Sequence, residues 1–262
     1  MSPTARLVSG NAAEACVRQW VRISDAVESV PDRAFDIVTR LPGWRVQELV
    51  THLIACVVAV PDRLAEPAPE RSAIDLPGYL LALSGAAAAI SHRERGAAAG
   101  SEPALLKHQL REGISALTTA LARTDSDRVV ATRFGGMRFA DFIGTRCIEG
   151  VVHGLDLATA IPAVSISADP DALKVATKGL LAALTVKAPG KSVEMRVPPI
   201  AAVQCVEGPR HTRGTPPNVV ETDPASWIEL ATGRLAWATA RDDGRLRASG
   251  ERSDISGLLP LL

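Results

Sequence analysis

Glu149 and His153 are the side chains whose spacing points most directly to chemistry in this 262-residue chain. They lie in Arg146-Cys147-Ile148-Glu149-Gly150-Val151-Val152-His153-Gly154-Leu155-Asp156-Leu157, four residues apart. On a helix both project from one face, about 6 Å apart at the backbone, and can give two ligands to one cation. Asp156, three residues on, falls near the same face and can orient the histidine through its other ring nitrogen. A third ligand must come from another helix. His52, on the edge of an apolar stripe between Leu49 and Cys56, is the best placed. Two nitrogens and one carboxylate leave a coordination position open, which is the arrangement of a catalytic zinc site.

The same residues also have plainer readings. A Glu/His pair four apart is more often a surface ion pair or hydrogen bond, and a histidine beside a core stripe is more often packed than ligated. The competitors are few, since the chain has five histidines. His92 lies in the charged stretch Ser91-His92-Arg93-Glu94-Arg95, and His108 lies opposite the leucine stripe of its helix, so both are expected in solvent. In the Gly208–Gly214 loop, Arg210, His211 and Arg213 can form a cationic clamp, because an arginine fork matches a carboxylate or phosphate. Alternatively they buttress that loop through carbonyls and Glu221 or Asp223. No G-x-x-x-x-G-K-[ST] phosphate loop, G-x-S-x-G elbow or C-x-x-C pair is present.

Helices must position these groups. Val17, Trp20, Val21, Ser24 and Val27 follow helical spacing, and Leu41-Pro42-Gly43-Trp44 breaks the chain. Val46, Leu49, Val50, Leu53, Ile54 and Val57 form a second stripe, expected to end before Pro61, with a loop over 61–77. One further helix is expected over Leu80 to Ile90, extending to Ala99, and another over Ala104 to Arg123. A Gly135-Gly136 turn then precedes a long helix over Phe139 to Ala160. Together these make an antiparallel four- or five-helix bundle. After a linker at 162–170 comes a helix over Ala172 to Val186, and then the period changes. Alternation marks strands at 193–197 and 202–206. Leu235 to Ala240 and Leu246 to Ser249 flank Asp242-Asp243-Gly244 as a hairpin. Pro224 to Ala231 reads as a short helix capped by Asp223, with Trp227 and Trp237 in the core.

Two segments carry a resemblance. Leu41-Pro42-Gly43-Trp44-Arg45-Val46-Gln47-Glu48-Leu49-Val50-Thr51-His52-Leu53, followed by Glu149-Gly150-Val151-Val152-His153-Gly154-Leu155-Asp156-Leu157, resembles the mycothiol-dependent maleylpyruvate isomerase family over about 10–160. The resemblance implies a DinB-like bundle in which His52, Glu149 and His153 bind a divalent metal, usually zinc. The stretch 207–224, with Trp227, Leu230, Gly233-Arg234-Leu235, Trp237 and 248–254, resembles the bacterial sterol-carrier-like domain over about 190–262. The expected fold is therefore two-domain, α plus α/β. An N-terminal DinB-like antiparallel four-helix bundle (1–162) is followed by a smaller sterol-carrier-like mixed α/β domain (163–262).

Function follows from the site and the composition together. The resemblance implies a metal-dependent isomerase or thiol transferase with mycothiol as thiol cosubstrate and a small anionic or apolar substrate. The alternative is a non-catalytic carrier of an apolar ligand, with a structural or vestigial metal. In the enzyme reading, Arg210 and Arg213 hold the substrate anion. Lysine plus arginine (29) balances aspartate plus glutamate (29), and aromatics are 3%, which disfavours a nucleic-acid partner. Hydrophobic residues at 47% and charged residues at 22% exclude a disordered chain. No apolar run approaches the roughly 20 residues of a membrane span. The N-terminus does not read as a secretory signal, and four scattered cysteines fit a reducing cytoplasm.

Overall fold

A computed structural model of the chain describes residues 10–164, 166–208 and 217–262. Among the described residues two compact units emerge, 10–75 with Gly85–Ala172, and Leu76–Ser84 with Leu173–Leu262. The first is mostly helical and the second is a smaller mixed sheet unit.

The helical unit contains α1 (Gly10–Ser29), α2 (Val46–Ala65), α4 (Ala87–Ala98), α5 (Pro103–Arg123) and α6 (Phe139–Ala160). Helix α1 packs on α6 and α5, and α2 packs on α5 and α6, closing a four-helix bundle with α4 laid against α2. Burial of Trp20, Leu49, Leu53, Leu110, Leu117, Ile143 and Val151 supplies its core. Helix α6 is the inner element. Sixteen of its positions are buried, among them Asp141, Arg146, His153 and Asp156. Buried polar groups of this kind need partners close at hand.

The pattern read from sequence is corrected at three places here. Helix α2 does not stop before Pro61 but continues to Ala65. A proline removes only one intrahelical donor, and burial of Val57 and Val60 holds the turn that would otherwise fray. The expected helix from Leu80 is broken into α3 (Leu76–Leu83), a 3-10 turn at Ser84–Ala86, and α4. Ser84 Oγ donates to the Leu81 carbonyl at the break, and Gly85 follows, the weakest helix former after proline. Gly135-Gly136 is not a turn. It opens β2 (Gly135–Arg138), paired antiparallel with β1 (Val129–Thr132). At Gly136 a Cβ would lie 2.4 Å from the Arg71 carbonyl oxygen, so only glycine allows its own carbonyl to accept from Ala73 and Ile74 at 2.7 and 3.1 Å.

The sheet unit holds α3, most of α7 (Pro170–Lys187) and a four-stranded sheet in the order β4-β3-β5-β6. Strands β3 (Val193–Val197) and β4 (Ala201–Cys205) are antiparallel, β3 and β5 (Val219–Thr222) parallel, and β5 and β6 (Leu246–Ser249) antiparallel. Val193, Met195 and Val197 alternate inward along β3. Helix α8 (Pro224–Ala231) is capped by Asp223, which accepts from the Ser226 amide. Its Trp227 is fully buried and donates to the Thr177 carbonyl on α7. The stretch 235–240 is not a strand: α9 (Trp237–Asp242) occupies it, and β6 pairs with β5 instead. Trp237 is only half-buried at the start of that helix. Among the described residues, no helix is long and apolar enough to cross a membrane, and all four cysteines are free and buried.

Candidate metal centre

Two helices and one loop of the helical unit build the site. The loop is a short antiparallel turn, in which the Val46 amide donates to the Ile37 carbonyl and the Thr39 amide to the Trp44 carbonyl, each at 2.9 Å. At its tip, Leu41-Pro42-Gly43-Trp44 is closed by Trp44 N–H to Leu41 O at 3.0 Å, with Gly43 at φ +75°. Proline before a positive-φ glycine is the chemistry of a type II turn. Glu48 then accepts from the Arg45 amide at 2.7 Å and starts α2. His52 follows, about two turns into the helix, among its buried residues.

The periodicity of α6 places Glu149, His153 and Asp156 on one side, and α2 brings His52 to the same spot. His52 Nε2 is 3.3 Å and His153 Nε2 3.1 Å from Glu149 Oε2. One donor atom from each of the three lies within 4.8 Å of the others, which is a set able to hold a metal ion. Both histidines are 8% exposed, and their rings meet edge to face at 4.9 Å. Burial pushes the Glu149 carboxyl up, but its hydrogen bonds with His153 and His52 prevail and hold it well below the usual carboxylate range.

Asp156 has no exposed surface, and its Oδ2 sits 2.8 Å from His153 Nδ1. That contact fixes the ring and leaves Nε2 as the atom turned to Glu149. Exposed positions hold His92 and His108, away from this cluster. Arg210 and Arg213 lie outside the described residues.

Four neighbours not assigned a role from the sequence complete the centre. Arg40 donates from Nε to Asp156 Oδ1 at 2.6 Å, so one buried carboxylate bridges a guanidinium and a ring. Trp44 meets the His52 ring edge at 5.4 Å and donates from its indole to Ser91 on α4 at 2.8 Å. Arg146, one turn before Glu149, brings its guanidinium to 3.8 Å from Oε1 and lies over the Phe142 ring. Cys56, one turn after His52, places its thiol 3.5 Å from His52 Nε2. Helical spacing from His52 and Glu149 marks Cys56 and Arg146, whereas the Arg40 contact spans 116 residues and leaves no local trace.

The donor set suits a borderline cation: two neutral imidazole nitrogens, a carboxylate kept ionised, and a hydrogen-bonded second face on His153. Comparison with known proteins agrees on the fold. Two crystal structures of mycothiol-dependent maleylpyruvate isomerase, one of them a mutant, resemble the chain. The mutant superposes with a TM-score of 0.64 at 16% identity, over 95% of this chain and 96% of that one. The other gives 0.61 at 16% identity, over 90% and 93%. No curated protein matches the sequence. Residues 169–261 match the family described as bacterial SCP ortholog. Residues 16–158, more than half of the chain and the span that contains all three donors, match the mycothiol maleylpyruvate isomerase N-terminal domain, and the chain belongs to that family.

Proposed function

We propose that the protein is a metal-dependent, mycothiol-using isomerase or thiol transferase, with a divalent ion, zinc for preference, held by His52, Glu149 and His153. The observation that carries this reading is the convergence of three donor atoms within 4.8 Å inside a match to a mycothiol-dependent family. His52 and His153 offer Nε2, and Glu149 offers an ionised oxygen. Asp156 holds the His153 ring from behind, and Arg40 holds Asp156. A zinc ion so held supplies Lewis acidity that makes a bound thiol acidic enough to exist as thiolate at neutral pH. The buried Trp44 ring stands against the edge of His52, and the low exposure of both histidines strengthens the charge interactions among the donors. Addition of thiolate to a conjugated double bond leaves a single bond that can rotate, and loss of the thiolate from the rotated adduct gives the other isomer; retention of the sulfur, with a proton taken up at the neighbouring carbon, gives transfer. The substrate is small and anionic or apolar, with Arg210 and Arg213 in the role of an anion clamp.

The match of residues 169–261 to the bacterial SCP ortholog family favours a second reading, a carrier of an apolar ligand with a structural metal. Calorimetric titration separates the two. Mycothiol should bind the zinc-loaded protein saturably, one per chain, and at least about tenfold more weakly once zinc is chelated. Equal binding to both forms, or none to either, overturns the enzyme reading. Saturable uptake of an apolar fluorescent probe in the latter case supports the carrier.

A further inference from the structure

We propose that Cys56 is a fourth, exchangeable protein ligand of the metal held by His52, Glu149 and His153. The inference rests on the metal reading above and adds a residue to it. Cys56 follows His52 by four positions on α2, so the two side chains emerge from one face of the helix. It is 2% exposed, and its Sγ lies 3.5 Å from His52 Nε2, the nitrogen that also faces Glu149.

The spacings of the nitrogen and oxygen donors suit one tetrahedral ion, and the Cys56 thiol stands beside them. Around a tetrahedral zinc with bonds of about 2.05 Å to nitrogen, 2.1 Å to oxygen and 2.3 Å to sulfur, neighbouring N and O donors stand about 3.4 Å apart, and N and S about 3.6 Å. The structure gives 3.3 and 3.1 Å for the two N–O pairs and 3.5 Å for the N–S pair. A cysteine of purely structural use sits among apolar atoms; this one stands against a ring nitrogen of the donor cluster.

Cys56 is not one of the three donors that all lie within 4.8 Å of one another. Ligation therefore requires a turn of its single χ1 torsion, and the reverse turn withdraws it. On ligation the S–H bond breaks, the sulfur–metal bond forms and the proton passes to solvent, with no change of oxidation state. In the closed form Cys56 fills the position that an incoming thiol needs, so a thiol cosubstrate binds by displacing it. The site thus resists adventitious anions and loss of its ion, and opens to a competing thiol.

The test uses the full chain loaded with cobalt(II), a zinc substitute whose thiolate complexes show sulfur-to-metal charge transfer in the near ultraviolet. The wild type, with no thiol added, should show that band at one cobalt per chain by elemental analysis. Cys56→Ala and Cys56→Ser should each lose it while still binding one cobalt, and Cys16→Ala should keep it. Mycothiol should restore a band in both Cys56 variants. A wild type that binds one cobalt without the band, or a band that survives both Cys56 substitutions, shows an ordinary thiol–imidazole contact and overturns the proposal. A wild type that binds no cobalt overturns the metal reading itself, and this inference with it.

Discussion

Replacing Asp156 by asparagine changes one atom and removes one charge, yet it breaks a two-sided contact. Oδ2 accepts from His153 Nδ1 at 2.8 Å and Oδ1 from Arg40 Nε at 2.6 Å, in a side chain with no solvent exposure. The carboxylate serves both because it only accepts. An amide can serve one. If its oxygen turns to Arg40, its NH2 faces His153 Nδ1, which must then give up its proton; the proton moves to Nε2, the atom needed for the metal. If its oxygen turns to His153, its NH2 faces the guanidinium, donor against donor, and a charge-assisted bond is lost. Such a bond is worth about 1.5–3 kcal/mol, and the 20% exposure of the Arg40 side chain keeps the loss toward the lower end. The first arrangement takes Nε2 from the metal and the second weakens the negative charge behind the His153 ring; changes to such a partner cost about 10- to 100-fold in metal affinity, or about 1.4–2.7 kcal/mol. Competition with a chromophoric chelator at pH 7 reads that loss directly. Zinc affinities equal within about twofold, with an unchanged circular dichroism spectrum, would refute the argument that Asp156 acts through His153.

Other parts of the helical unit give further outcomes. Asp169 caps the first turn of α7, accepting from the Asp171 and Ala172 amides at 3.0 and 3.1 Å, and pairs with Arg18 at 2.8 Å. Asp169→Ala should destabilise by about 1–3 kcal/mol in urea denaturation, mostly through the cap, since Arg18 is largely solvated. Burial raises the Asp169 carboxyl, but the Arg18 and backbone hydrogen bonds prevail and leave it below its ordinary value. Its stabilisation is thus fully present above the unfolded value near about 3.9 and lost as pH falls through the folded one, so the wild-type advantage should hold from about pH 5 upward and shrink below about pH 4. An advantage that grows on acidification would contradict this. Gly136→Ala should cost about 1–3 kcal/mol by driving a methyl into the Arg71 carbonyl, and a stability equal to wild type would show that the segment yields freely.

The site was legible in the sequence to the extent that it is helical. Glu149, His153 and Asp156 share a face because 3.6 residues make a turn, and that regularity can be read without a structure. His52 shows itself at the edge of its stripe. Arg40 could not be read, because its partner is 116 residues away and no local spacing marks the contact. The same contrast runs through the fold. The cap at Asp223 and the bounds of α6 follow from local chemistry. Strand β5 is four residues long and is defined by neighbours on both sides, β3 and β6, rather than by its own pattern. Leu235 to Ala240 alternates like a strand, yet tertiary packing of α9 on β6 decides for helix.

Metal content by elemental analysis tests the central claim most directly. Wild type, His153→Ala and His108→Ala should be purified side by side, incubated with zinc and desalted. Wild type and His108→Ala should each retain about one zinc per chain, because His108 is exposed on α5 away from the donors, and His153→Ala should retain little. Equal zinc in all three proteins, or none in the wild type, would contradict a metal centre at His52, Glu149 and His153.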